Sequence, residues 1–523
     1  MVLSQAALTL LLLVPGLAAV WLLAVARTDR AERHGSTYAV ALGSSVVALL
    51  LAVVVALARP DVDVPWVPAL GVRWHLGPDG ISVPLVLLTA VLGVVVVVHS
   101  RGREPARATL GERSLGTFYA CLLLVETGAL ATFLARDAIV FFVAFEVVLV
   151  PMWVLVGRFG DEHATEAQRT SAAARFVLFT VLGSTLMLLG ILLVAVRAGT
   201  TDLVLLAQAR GEGLDHGTQV AAAALLLVGL GIKIPLWPAH PWLPPAHTVA
   251  PTAGSVLLAA VLLKMGTYGV VRLALPVVPA GVAAAAPYLA VAGAVGILWG
   301  GLACLVETDL KRLVAYSSVA HMGFVALGLA SGTWTGLQAA LFANIAHGVV
   351  SALLFLVVGG LKERWGSADL RVARPALRDT APRLGWALVV GFAAALGLPG
   401  LIGFWGEVLA VYAAFTPADG RPLPVLRACA VAGLLGMVLA AAYGLRVLRL
   451  VWAGGTAGGS SNAEGAAPTP DAGRREWAVV LLLCVLAVAG GVLPKPLLGV
   501  TADDARSVVG GTGPVRDHLT GGG

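Results

Sequence analysis

The chain has only five lysines, at 233, 264, 311, 362 and 495, among 35 Lys+Arg. Two of them, Lys233 (GLGIKIPLW) and Lys264 (AVLLKMGTYG), stand inside apolar runs. A buried lysine can release its proton near neutral pH because desolvation disfavours the ammonium, whereas an arginine keeps its proton throughout. In a chain that otherwise uses arginine for positive charge, two lysines so placed have the chemistry of a proton carrier. Two acids are placed alike, Glu146 in AIVFFVAFEVVLVPMW and Glu407 in GLGLPGLIGFWGEVLAVY. His321 (YSSVAHMGF) and His347 (FANIAHGVV) lie on consecutive apolar runs, and Glu126 (LLLVETGAL) is a further acid in mid-run. Ionisable groups at such depth are costly, so a functional role is the default. Plainer roles compete. Glu146, Lys233 and Lys264 could only tie helices together, and either histidine could be a hydrogen-bonded core residue. For Glu126 the structural role is the stronger reading. Arg175 reads as a snorkelling interfacial residue and an accessory at most.

The elements that must position these groups are membrane helices. Of 523 residues, 59% are hydrophobic and 12% charged, half the roughly 25% charge of soluble domains, and the mean hydropathy is +0.91. This excludes a soluble enzyme, a disordered chain and a nucleic-acid binder. Continuous apolar runs predict fourteen spans near 2–25, 37–58, 82–99, 115–135, 137–157, 172–196, 219–238, 252–275, 286–306, 311–330, 335–361, 384–414, 424–451 and 477–498. They do not alternate, so an all-α membrane protein is expected rather than a barrel. The first run lacks a basic lead and reads as a retained helix. Four cysteines without a C-x-x-C pair, and no phosphate-loop or dinucleotide motif, leave this chain with no expected metal, nucleotide or other cofactor. Arginine and lysine gather in the loops after spans 1, 3, 5, 9 and 11 and before span 14, while the 59–81 loop carries Asp61, Asp63 and Asp79. The positive-inside rule then places both termini on the outer face.

Proline supplies a second pattern. Span 7 contains Pro235 and Pro238, and span 12 contains Pro399 and Gly400 ahead of Glu407. Proline removes a helical hydrogen bond, so both helices should break inside the membrane, as at ion sites of inverted-repeat transporters. Spans 4–8 and 9–13 then form two inverted five-helix repeats. Lys233 corresponds to Glu407 and Glu146 to His321. The expected divisions are 1–114 (helices 1–3), 115–275, 286–451, and 452–523 (a linker and helix 14). Segment 59–81 has the short alternating runs of a small hairpin, and 453–473 has linker composition.

Four segments, FFVAFEVVLVPMWVLVGRFG (141–160), HTVAPTAGSVLLAAVLLKMGTYG (247–269), DLKRLVAYSSVAHMGF (309–324) and GLPGLIGFWGE (397–407), resemble the antiporter-like membrane subunits of respiratory complex I. Glutamate rather than lysine at 407 is similar to the M type among them, the homologue of mitochondrial subunit 4. The resemblance implies a fourteen-helix proton-translocating subunit in a bacterial plasma membrane, driven by quinone reduction elsewhere in the complex. It implies a Glu146–Lys233 charge pair, Lys264 as relay, His321 and His347 along the axis, and Glu407 as terminal site. FMN, iron–sulfur clusters and quinone would belong to partner subunits, and the neighbours would be antiporter-like subunits of the L and N types together with lipid. Three rivals stand beside it: a subunit of a multisubunit cation/proton antiporter, a helix bundle with haem between His321 and His347, and a passive spacer.

Overall fold

The computed structural model describes residues 2–26, 34–103, 113–454 and 468–510. Among them, 13 helices are long and apolar enough to cross a bilayer. Two shorter helices, Pro382–Ala395 and Gly403–Phe415, together occupy the place of the twelfth span. The 59–81 loop is the expected hairpin, with antiparallel strands Val62–Val67 and Val72–Leu76. Residues 455–467 of the linker, and Arg27, Arg30, Arg33 and Arg107, lie outside the described residues.

Where the spans differ from expectation, local chemistry explains it. Span 6 begins at Glu166 rather than 172, because Thr165 and Gln168 form a reciprocal capping box before it. Span 5 is interrupted at Val148, between Ala138–Val147 and Leu149–Gly157, where Pro151 lacks the N–H that would bond the Val147 carbonyl. Span 7 ends as a helix at Lys233 and resumes at Leu243–Val249. Span 14 is Arg474–Val492, and a separate helix, Lys495–Val509, follows it. That helix mixes charged and apolar residues, so a search for continuous apolar runs misses it.

Burial sorts the helices radially. Span 8 (Thr252–Ala274) and span 11 (Trp334–Trp365) have 94% of their most apolar window buried, and span 10 (Leu310–Ala330) 89%. Spans 1 and 2 have 33%, so they line the rim. Lys264, His347 and His321 therefore ride on the three most enclosed helices. Small residues permit this packing: a Cβ on Gly293 of span 9 would lie 2.7 Å from the Gly323 carbonyl oxygen of span 10.

The loops knit at both faces. At the hairpin face, His75 Nδ1 lies 2.7 Å from Asp202 Oδ2, and Asp137 caps span 5 while accepting from Thr201 Oγ1 at 2.5 Å. At the opposite, arginine-rich face, Glu476 of span 14 accepts from Arg103 at 2.7 Å and from Arg364 at 2.6 Å. Burial opposes protonation of Arg103, but the Glu476 carboxylate outweighs it and raises its pKa. Removing Glu476 leaves the partly buried Arg364 guanidinium without a counter-charge and Arg103 with only Glu363, at 3.6 Å. Glu476→Ala is expected to cost about 3–5 kcal/mol of stability, read as a lowered melting temperature of the detergent-purified protein, with Glu476→Asp retaining most of it.

Candidate functional site

The two interruptions have different chemistry. At span 12, Gly397 (φ 66°) closes the first half-helix, with Leu398 N–H donating to Ala393 O at 3.2 Å and Gly397 N–H to Ala394 O at 3.2 Å. A Cβ on Gly397 would lie 2.8 Å from Glu407 Oε2, so this position admits only glycine beside the carboxylate. Gly400 also has positive φ, 89°, and Pro399 lies between them. At span 7, Pro235 and Pro238 fall in the gap after Lys233. Leu236 N–H donates to Gly231 O at 2.9 Å and the Trp242 indole to Ile232 O at 3.0 Å, so carbonyls of the ended helix stay satisfied within the protein.

The structure brings four of the six principal residues into one line. The Lys264 ammonium donates to His347 Nδ1 at 2.5 Å and to the Ala259 carbonyl at 2.7 Å. Ala259 lies in a π-helical turn, Leu258–Leu262, one of two that flank Lys264. Such turns widen the helix and recur at functional sites. The His347 and His321 rings are 5.6 Å apart between centroids. His321 Nδ1 donates to Glu407 Oε1 at 2.9 Å. A cavity of about 20 Å³ is lined by His321, His347 and Glu407, with small and aliphatic residues around them. His321 Nε2, His347 Nε2 and Glu407 Oε2 have no protein partner. The space suits one water, and these three atoms could all bond to it. A space of that size cannot hold a haem, so the haem-ligand alternative is discarded.

The remaining residues depart from expectation. Glu146 and Lys233 form no ion pair within 4.0 Å among the described residues. Lys233 ends its helix, is 3% exposed, and sits over the Phe145 ring at 4.8 Å and the Phe176 ring at 5.9 Å. Glu146, one residue on from Phe145, is only half buried. The two are therefore not in contact: aromatic rings cradle the ammonium, and Glu146 acts on it only through space. The turn of the helix decides this, because successive residues point about 100° apart and Phe145 takes the inward direction. Glu126 is 1% exposed and accepts from Ser45 Oγ at 2.9 Å, its other oxygen has no protein partner, and it does not join the line. Arg175 is exposed on span 6 and does not join the line.

Sequence reasoning missed a second group. Lys311 was expected in a basic loop, yet it is 3% exposed at the start of span 10, donating to the Ala250 carbonyl at 2.5 Å. His247 is fully buried, stacked on Phe355 with centroids 4.5 Å apart, and neither ring nitrogen has a protein partner. Asp161 pairs with Lys362. Burial opposes ionisation of Asp161, but Lys362, the His163 backbone N–H and Lys311 prevail and hold its carboxyl below the ordinary aspartate value. A cavity of about 350 Å³ at the arginine-rich face reaches Lys311, Asp161 and Lys362. His247 lay in view within a quoted motif; its lack of partners is visible only in three dimensions.

A multi-pass helical bundle with a buried lysine–histidine–glutamate line and two interrupted helices belongs with membrane proteins that carry ionisable groups through their core. The chain belongs to the family described as NADH:quinone oxidoreductase/Mrp antiporter, TM, which matches residues 135–419. It is 36% identical over 462 residues to NADH-quinone oxidoreductase subunit M of Pseudomonas aeruginosa, covering 87% of this chain and 86% of that one. It is 34% identical to the Escherichia coli K12 protein of the same name, covering 86% and 85%. A chain of respiratory complex I from Thermus thermophilus superposes with a TM-score of 0.80 at 29% identity, covering 96% of this chain and 99% of that one. A chain of the Mrp complex from a Dietzia species has the same fold, with a TM-score of 0.80 at 23% identity and coverage of 97% and 98%.

His321 bridges Glu407 to the histidine–lysine pair, so its substitution separates the two ends of the line. His321→Gln should impair proton transport as severely as His321→Ala, although glutamine can still bond Glu407, because a glutamine amide cannot take up and pass on a proton. The measurement is proton uptake by inverted vesicles holding the assembled complex; near-normal uptake by His321→Gln would reduce His321 to a scaffold.

Proposed function

We propose that this chain is the M-type membrane subunit of an NADH-quinone oxidoreductase and moves protons along the buried line, driven by quinone reduction in partner subunits. The observation that carries this reading is the continuity from Lys264 through His347 and His321 to Glu407, with space for one water among the last three. Relatives that bear the subunit M name match over most of their length, which supports the complex. FMN, iron–sulfur clusters and quinone remain with the other subunits. Spans 4–8 and 9–13 act as two inverted repeats, with the unwound gaps of span 7 and span 12 in matching places, and the segments 1–114 and 452–523 frame them. The membrane is the bacterial plasma membrane, with the arginine-rich face cytoplasmic and both termini outside.

The geometry suggests a sequence of events. Lys233 rests on two aromatic rings rather than on Glu146, so its ammonium is only partly compensated. Span 8 packs on the interruption at Gly266 beside Ile234, which places Lys264 on the helix that would receive its proton. Rotation of Glu146 inward would hold the proton on Lys233; its withdrawal would release it. From Lys264 the proton passes to His347, then through water to His321 and Glu407. Moving one charge against the membrane potential takes about 2.3 kcal/mol per 100 mV, a scale that making and breaking one close ion pair in a dry site can supply. The half-exposed Glu146 lies where a neighbouring antiporter-like subunit, of the L or N type, would influence it. The family description also covers cation/proton antiporters; a sodium requirement for transport would select that alternative.

Lys233→Arg is expected to be nearly as damaging as Lys233→Ala, since arginine keeps the charge but cannot release the proton. Glu407→Gln, which keeps size and hydrogen bonding but cannot titrate, should lower quinone-linked proton uptake severely while the complex still assembles on a native gel. Wild-type uptake by both variants would remove these residues from the path.

A further inference from the structure

On the hairpin side of Lys233 and Lys264 the polar line stops at a column of aromatic rings. The Lys233 ammonium sits 4.8 Å over Phe145. Phe145 stacks on Phe141 with centroids 6.0 Å apart, and Phe141 stacks on Tyr268 at 6.2 Å. Phe133 meets Tyr268 edge-on at 5.3 Å. All four are buried, with no side chain more than 3% exposed. Tyr268 stands one helical turn beyond Lys264, on the same face of span 8. Its hydroxyl, the only polar side-chain atom in the column, donates to the Phe133 carbonyl at 2.8 Å. Just inside, the Thr267 hydroxyl is buried with no protein partner.

Just outside, the Arg272 guanidinium covers the Tyr268 ring at 5.0 Å and pairs with Asp79 in the loop before span 3. Burial works against the Asp79 charge, yet Arg272, the Ser82 backbone N–H and Arg136 hold its carboxyl below the usual aspartate value. Beyond them opens a cavity of about 450 Å³ lined by Arg136, Gln208, Asp504 and Asp79, with Tyr268 and Arg272 at its wall. A solvent-facing, charged cavity is therefore separated from Lys233 and Lys264 by a few rings whose one polar atom, the Tyr268 hydroxyl, already donates to Phe133.

We propose that Phe141, Phe145 and Tyr268, capped by the Arg272–Asp79 pair, are a seal that denies outer water to Lys233 and Lys264. The inference rests on the proton-carrying reading of those lysines and adds a role to residues outside the path. The rings exclude water because a hydrated chain needs polar partners along its length, and an apolar constriction dewets. The Arg272–Asp79 pair closes the outer mouth, each charge answering the other rather than water. Removing a ring should open a passive leak without touching redox chemistry, which lies in other subunits.

The test uses the whole complex in liposomes without NADH. A potassium diffusion potential is imposed with valinomycin, and inward proton flow is followed with a trapped pH dye. Tyr268→Ala and Phe141→Ala should raise passive proton conductance several-fold, with NADH oxidation preserved, whereas Tyr268→Phe, which keeps the ring, should stay as tight as wild type. If Tyr268→Ala fails to assemble, Phe141→Leu opens the same stack with a smaller change. Wild-type tightness in an assembled complex carrying both Phe141→Ala and Tyr268→Ala, or in assembled Phe141→Leu, overturns the seal. The two readings fail separately. Tight variants leave turnover-driven pumping through Glu407 standing, while a leak in Tyr268→Ala together with normal pumping by Glu407→Gln would sink the path and keep the seal.

Discussion

An ammonium at the centre of the bundle with no carboxylate beside it is the constraint on which the rest depends. Lys264 is fully buried and bonds only a histidine nitrogen and a backbone carbonyl. A charge taken out of water costs several kcal/mol unless paired or hydrogen-bonded. Such a site persists only if the helices around it are fixed by other packing and the surroundings are partly polar. Both conditions are visible. Spans 8, 10 and 11 are the most enclosed, and small residues such as Gly293 and Gly323 let neighbouring backbones close on them. The polar surroundings come from two histidines, a glutamate and a π-helical carbonyl rather than from a counter-ion. A lysine whose side-chain partner is an imidazole rather than a carboxylate has a neighbour that can take a proton from it, which a structural tie does not need.

The interrupted helices follow from the same need. A continuous α-helix spends its carbonyls and N–H groups internally and offers a buried charge nothing. Ending one at Lys233, and another at Leu396 just before Glu407, places ionisable side chains beside loosened backbone. Gly397 shows how tight the fit is: its missing side chain is the space that the Glu407 carboxylate fills. At the first interruption the freed carbonyls are retaken by Trp242 and Leu236, so Lys233 is left on aromatic faces. Spans 7 and 12 thus share a device, an interrupted helix with an ionisable group at the gap, while differing in what partners it.

Much of this was legible in the sequence because lipid makes charge conspicuous. In a chain with 12% charged residues, an isolated Lys or Glu within an apolar run announces itself, and Lys233, Lys264, His321, His347 and Glu407 were all found that way. The breaks were legible from Pro235, Pro238, Pro399 and Gly400, since proline and glycine act locally. Direction was not legible. A run of residues does not say that Phe145 rather than Glu146 faces Lys233, because both lie near the same depth and only packing fixes the rotation of the helix. Lys311 failed for a related reason. It adjoins a basic loop, and only the fold shows that a neighbouring carbonyl, that of Ala250, draws it inside. The helix Lys495–Val509 failed because its apolar residues form a face rather than a run.

The two faces of the bundle solve opposite problems. Towards the arginine-rich face, a cavity of about 350 Å³ meets Lys311, Asp161 and Lys362, and deeper lies His247 with both ring nitrogens unpartnered. Ionisable groups thus continue from the surface towards Lys264. Towards the hairpin face, the sequence of groups from Lys264 is Thr267, Tyr268 and Arg272, and the tyrosine hydroxyl is already committed to Phe133. On the proposed reading, in which protons enter from the arginine-rich face, that asymmetry is what a carrier needs: titratable groups on the collecting side, and packed rings closed by the Arg272–Asp79 pair on the other. Leakage through a single hydrated gap on the outer side would dissipate the gradient at every moment, whereas a slow step on the collecting side would cost only rate. The stricter packing therefore belongs on the hairpin side, which is where four buried aromatic side chains gather around one turn of span 8.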